Sequence, residues 1–271
     1  MRTPFQTLKS TVGFFLLCSF VFGSAAALAE PKYGGTLVLA LTSDPKSFNP
    51  ILAKETSTTA VTGHIFEGLT TVDPFTLKVI PNLAESWDSS RDGLTWTFVL
   101  REGLLWSDGK PFTSEDVVFT FGDLIFNDDI PNSARDIFTL AGKPIRVEAV
   151  DARTVRFALP VKFAPFLRSL SQEILPKHVL ADAVRNNKFN FTWGIDTRLS
   201  GIVGMGAYML SDYQPGRRIV FRPNTYYWKK AVDGGKLPYM EKIEYVIVPS
   251  LDVSLLKFLE GSIDAYGMRG M

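Results

Sequence analysis

Cysteine is almost absent: Cys18 is the one thiol in 271 residues, and histidine occurs only at His64 and His178. One cysteine closes no internal disulfide, and one Cys with two His is too few for a Cys/His zinc centre. A disulfide scaffold and a zinc protein are thereby excluded. Net charge is equally scarce. The 29 basic residues against 28 acidic ones leave +1, so no overall field draws nucleic acid or an anionic membrane. Repeats and low-complexity tracts are missing, and the one long uncharged run lies in the first thirty residues, which argues against a multi-span membrane protein. Apolar residues are plentiful at 46%, with 13% aromatic and 21% charged, the makeup of a folded globular chain with room for one large domain or two smaller ones.

The first thirty residues read as an export signal. Arg2 and Lys9 are the only charges before Glu30, and the apolar run from Val12 to Phe22 precedes small residues ending in Ala27-Leu28-Ala29. A basic start, a short apolar core and an A-x-A site describe a secretory signal peptide cut after Ala29, which places the chain in a periplasm. An uncleaved anchor is the alternative, but the Ala/Ser/Gly-rich second half suits a peptidase better than a bilayer core. Leu17 stands where lipidation at Cys18 requires a small residue. Removing 29 of 271 residues leaves 242, with 27 basic and 28 acidic groups and no cysteine.

Periodicity predicts a mixed α/β chain. Thr36 to Leu41 is a continuous apolar run, read as a buried strand, and Val61, Ile65 and Leu69 predict a helix from about Thr56 to Gly68. Leu69–Val72 and Leu77–Ile80 flank Asp73-Pro74 as a hairpin. Leu94, Trp96, Phe98 and Leu100 alternate with Thr95, Thr97 and Val99 as a half-buried strand. Thr113 is the expected N-cap of a helix with acidic residues in its first turn and an inner stripe of Val117, Phe121 and Leu124. Residues 145–149 and 155–159 alternate about Asp151-Ala152-Arg153, and Pro165 opens a short helix. Tyr208–Tyr213 and Arg217–Arg222 form a hairpin about Pro215-Gly216. Last come a strand at Ile243–Val248, a helix at Asp252–Glu260 with Leu255, Leu256 and Leu259 toward a core, and a strand at Ser262–Tyr266, together a βαβ unit.

Catalytic motifs are weak. Ser43-Asp44-Pro45-Lys46 and Ser254-Leu255-Leu256-Lys257 match S-x-x-K, without S-D-N or K-T-G. No G-x-S-x-G elbow, H-E-x-x-H, EF-hand loop or P-loop is present, and Gly201, Gly204 and Gly206 have the wrong order for a dinucleotide loop. His64 and His178 read as structural polar residues. No enzymatic activity, metal or cofactor is expected; a serine hydrolase using Ser43 or Ser254 is the alternative.

A series of short blocks resembles the family 5 extracellular solute-binding proteins of ABC importers, the oligopeptide and dipeptide binders. They include Gly34-Gly35-Thr36-Leu37, Ser47-Phe48-Asn49-Pro50, Ile65-Phe66-Glu67-Gly68-Leu69, Leu83-Ala84-Glu85-Ser86-Trp87, and Asp92-Gly93-Leu94-Thr95-Trp96-Thr97-Phe98. Leu100-Arg101-Glu102-Gly103, Trp106-Ser107-Asp108-Gly109, Ile174-Leu175-Pro176-Lys177-His178-Val179, Gly204-Met205-Gly206-Ala207-Tyr208, Leu237-Pro238-Tyr239 and Leu259-Glu260-Gly261-Ser262-Ile263-Asp264 follow in family order. Met205 and Ala207 depart from the usual G-T-G-P-Y. The resemblance implies an α/β fold: a type II periplasmic binding protein lobe I from residues 30–48 and 172–271, with an inserted α+β domain at 49–171. Family members run to roughly twice this length, so the chain is expected to be a fragment lacking lobe II and the C-terminal return segment.

The implied function is capture of a peptide or other small solute between two lobes and delivery to inner-membrane permease subunits, by a monomer. Loop positions near strand ends are the candidate ligand contacts: Lys54, Glu55, Thr56, Gly204, Met205 and Tyr266, with Lys54 or Glu55 pairing a peptide terminus. A non-transport envelope interaction domain is a further alternative.

Overall fold

The computed structural model describes residues 32–231 and 234–267, so the export signal and Cys18 lie outside the described residues. Chain order runs β1 (Thr36–Leu41), α1 (Thr56–Thr62), β2 (Thr70–Val72), β3 (Val79–Pro81), β4 (Ala84–Ser89), β5 (Thr95–Leu100) and α2 (Ser114–Val118). It continues with α3 (Ala134–Phe138), β6 (Thr139–Leu140), β7 (Lys143–Pro144), β8 (Arg146–Ala149), β9 (Thr154–Ala158), α4 (Phe166–Ser169) and α5 (Lys177–Arg185). The last elements are β10 (Tyr208–Gln214), β11 (Arg218–Pro223), β12 (Lys242–Ile247) and α6 (Leu251–Leu259).

Two four-stranded sheets organise these elements. One is antiparallel throughout, in the order β4-β5-β9-β8, with Trp96 opposite Phe157 and Phe98 opposite Val155. Its predicted alternation puts Phe98 and Phe157 on the covered face, where both are fully buried. α2 runs on into a π-helical turn at Phe119–Ile125, and its stripe of Val117, Phe121 and Leu124 is likewise fully buried. Phe157 meets Phe121 at 5.3 Å, Phe98 at 5.5 Å and Phe166 at 5.5 Å, all edge to face, the arrangement that ring quadrupoles favour. Asp116 fastens the start of α2. Its Oδ2 accepts from the Thr113 amide at 2.9 Å and its Oδ1 from the Lys177 amide at 2.9 Å. Burial pushes the Asp116 pKa up, and these hydrogen bonds offset only part of the rise.

The other sheet has the order β1-β12-β11-β10. β1 runs parallel to β12, from Thr36 opposite Lys242 to Leu41 opposite Ile247, and β10–β11 is the expected hairpin with Gly216 at φ 69°.

Four expectations are corrected here. β1 is an edge strand, not a buried one: it pairs with β12 alone, and only Leu41 along it is buried. α1 stops at Thr62, short of Gly68, because the carbonyls that would continue it serve the chain elsewhere. Tyr208 N donates to His64 O at 3.1 Å and Gly206 N to Ile65 O at 2.7 Å. Ser262–Tyr266 is not a strand: Asp264 N donates to Val38 O at 2.8 Å, but Val38 N turns to the Asp264 carboxylate at 2.7 Å instead of a backbone carbonyl. Finally, α6 forms as predicted but its leucines do not face a core. Ser254 is its one buried residue, whereas Leu256 and Leu259 are 57% and 70% exposed.

Candidate functional site

In open α/β sheets, ligands bind outside the carboxyl ends of the parallel strands. At that end of β1, the loop from Thr42 to Pro50 is braced on three sides. Asp44 takes the first. Its Oδ1 accepts from Tyr213 Oη at 3.1 Å, and its carboxylate from the Gly216 amide at 2.9 Å, which ties the loop to the β10–β11 turn. Burial and the adjacent Asp44 charge push the Tyr213 phenol up to about 12. Glu55, just before α1, takes the second: its Oε1 accepts from the Lys46 amide at 3.1 Å and from the Thr58 hydroxyl. Burial works against the Glu55 carboxylate, but these hydrogen bonds outweigh it and hold its pKa below the usual value. The third brace is the segment at Thr192-Trp193, whose Trp193 carbonyl accepts from Ser47 Oγ at 3.0 Å and Phe48 N at 2.8 Å.

Between this loop and residues 190–196 lies an open groove of about 630 Å³, bordered by Lys46, Lys54, Glu55, Phe191 and Asp196. Lys54 Nζ is already paired with Glu173 Oε2 at 2.7 Å. Thr56 opens α1 beside it, its carbonyl accepting from Thr59 Oγ1.

The structure therefore brings Lys54, Glu55 and Thr56 together and places the other three sequence-derived candidates apart. Met205 is buried in the core. A Cβ on Gly204 would stand 2.0 Å from Ile65 O, so this glycine is a close backbone crossing. Gly204 also bonds both ways with Ser107, N to Oγ at 3.1 Å and O from N at 3.0 Å, linking this loop to the turn that follows β5. Tyr266 stacks on Phe258 of α6, centroids 6.3 Å apart. Sequence reasoning missed Asp44, Lys46, Phe191 and Asp196. The turn signal Ser43-Asp44-Pro45 marked their neighbourhood, but nothing local joins residue 44 to residue 216.

Of the two S-x-x-K serines, Ser43 is exposed at a bend after β1, and Ser254 is the buried residue of α6. His178 Nε2 lies 2.8 Å from Asp108 Oδ2, and His64 Nε2 lies 2.9 Å from Tyr245 Oη. Among the described residues no three His, Cys, Asp or Glu side chains cluster to hold a metal ion, and no helix is long and apolar enough to cross a membrane.

Residues 78–270 match the family model described as bacterial extracellular solute-binding proteins, family 5 Middle. The chain belongs to this family. Along 93% of its length this family 5 chain is 32% identical to the dipeptide-binding protein of Escherichia coli, of which it covers 47%. Among solved structures, it is similar to an ABC transporter-associated periplasmic binding protein of Helicobacter pylori in complex with the peptide STSA, at 26% identity and a TM-score of 0.68, covering 86% of this chain and 46% of that one. A periplasmic binding protein of Agrobacterium fabrum in complex with stachyose gives 25% identity and a TM-score of 0.76, over 86% and 37% of the two chains. The family 5 chain thus spans about half the length of the curated relatives it matches.

Proposed function

We propose that this chain supplies one wall of the solute-binding component of an ABC importer, acting in the periplasm after its signal peptide is cut at Ala29. Residues 30–48 and 172–271 build the clasping lobe, and residues 49–171 form an insert on it. The solute, a peptide or another small molecule, rests in the groove at the carboxyl end of β1, with Lys54 and Glu55 on its border and Thr56 next to them at the start of α1. The solute-filled form is then read by permease subunits of the inner membrane. The observation that carries this reading is the continuous match of nearly the whole chain to a dipeptide-binding protein, together with a braced, open groove where an α/β sheet places its ligands.

Burying the 70–90% of a ligand's surface that tight sites bury takes two walls. One wall predicts weak capture. Titration calorimetry of the chain with dipeptides and tripeptides is expected to give no affinity tighter than about 1 mM, on the order of 4 kcal/mol of binding. Micromolar binding by this chain alone would overturn the one-wall reading.

A further inference from the structure

Outside the β1 groove, the antiparallel sheet carries a second opening of about 390 Å³ at its β8 edge. Its charge is of one sign. Lys143 and Arg146 both border it, neither has an ion-pair partner among the described residues, and no carboxylate lines it. Glu148, the acid two residues along the same strand face as Arg146, is already bound to Arg156 at 2.8 Å. The rest of the lining is apolar: Pro144, Ala158, Leu159 and Pro160.

The backbone holds the two cations in place. β6 and β7 are joined by the two residues Ala141 and Gly142, both left-handed at φ 49° and 74°, so that Lys143 stands opposite Leu140. Ala141 has no glycine freedom, and its left-handed conformation is imposed by the tight hairpin. Between the cations Ile145 is buried, and its amide donates to Phe138 O at 3.0 Å. Arg146 lies in register with Ala158 of β9, which brings its side chain over the apolar lining.

Two cations beside an apolar surface discriminate among ligands. An inorganic anion leaves the apolar surface in water, a neutral apolar molecule leaves both cations without a partner, and the ammonium of a zwitterion finds no acid there. We propose that this opening is a binding site for small organic anions with an apolar tail, separate from the solute groove. Lys143 and Arg146 hold the acidic head, and the tail covers Ala158, Leu159 and Pro160.

An amide-resolved NMR titration of the full chain tests this with hexanoate, acetate and hexanol. Hexanoate should shift the amides of Lys143, Arg146, Ala158 and Leu159, and bind about tenfold tighter than acetate, the gain from burying about two methylene groups. Lys143→Gln and Arg146→Gln, both at exposed positions, should each weaken hexanoate by about three- to fivefold and leave hexanol unchanged. Ala158→Asp, which adds an acid to the exposed lining, should weaken hexanoate at least as much. Lys46→Gln, at the other groove, is the control and should change nothing. Equal binding of hexanoate and acetate would overturn the apolar half of the site, and hexanol binding as tight as hexanoate would overturn the cationic half. A Lys46→Gln effect as large as that of Arg146→Gln would reduce the site to general charge attraction and overturn it. No shift with hexanoate, combined with Arg146-dependent co-sedimentation on vesicles of equal parts phosphatidylglycerol and phosphatidylcholine, would overturn it in favour of a bilayer surface.

Discussion

The two sheets close their hydrophobic surface to different degrees. Around β4-β5-β9-β8 the rings of Phe98, Phe121, Phe157 and Phe166 interlock, each 1% exposed or less. Around β1-β12-β11-β10 the inner strands are equally well covered, with Ile219 and Phe221 fully buried, but the flank is not. There β1 lies at the edge, and α6 presents Leu251, Val253, Leu255, Leu256, Phe258 and Leu259 to solvent. Both regions were assembled from sequence with similarly strong apolar patterns. The difference lies in whether a partner surface meets them. An apolar face stabilises a fold only by the area it removes from water, so the same leucine contributes fully in one region and little in the other.

The largest expected effect tests the closed region. Phe157→Ala should cost about 3–5 kcal/mol, because the ring leaves a cavity among three others that cannot collapse. Urea or thermal unfolding measures it, and a loss below ~1 kcal/mol would show that this core is loosely packed.

Gly204→Ala probes the joint between the regions. With Ile65 O 2.0 Å from the new methyl, the backbone must shift and strain both bonds to Ser107, at a cost of about 2–3 kcal/mol. Unfolding curves followed separately by tryptophan fluorescence and far-UV circular dichroism should then lose their coincidence, which a purely local defect would not produce.

His64 lies on the open region's side, with Phe221 at 5.1 Å and Tyr208 and Tyr245 at 5.9 and 5.8 Å. Burial lowers its pKa from the ordinary 6.5. The unfolded chain therefore binds a proton here before the folded one does, so stability contributed at neutral pH is lost as pH falls below about 6.5. A His64→Phe variant should show a flatter decline between pH 6.5 and 5 in parallel denaturation series, and an unchanged slope would remove His64 as its source.

The smallest effect should come from α6. Leu259→Ser, at a site already 70% exposed, should change stability by no more than ~0.5 kcal/mol in urea unfolding. A loss comparable with that of Phe157→Ala would mean that α6 is covered in solution, and the contrast between the regions would fall.

Much of the fold was legible because its signals are local. The alternation through Leu94 to Leu100, the Thr113 and Asp116 pair at a helix start, and the Pro215-Gly216 turn each report on neighbours a few residues away, and the structure shows them at or within a residue or two of the expected bounds. The misreadings share a cause. α6 is apolar enough to predict a buried helix, but periodicity names a face without naming what covers it. α1 ends at Thr62 because the glycine loop some 140 residues on takes the His64 and Ile65 carbonyls that would carry the helix further. At the groove, Lys54 looked available for a ligand until Glu173, 119 residues away in sequence, proved to hold it.

By itself, then, the sequence determined the class of structure, the order of the elements and the family, because these depend on short-range patterning and on blocks in a fixed succession. Tertiary structure alone decided which charges at the end of β1 are engaged within the fold: Lys54 by Glu173, and Glu55 by the Lys46 amide. An ion pair or a covered face is a property of two segments meeting in space, and a one-dimensional pattern carries each segment without the meeting.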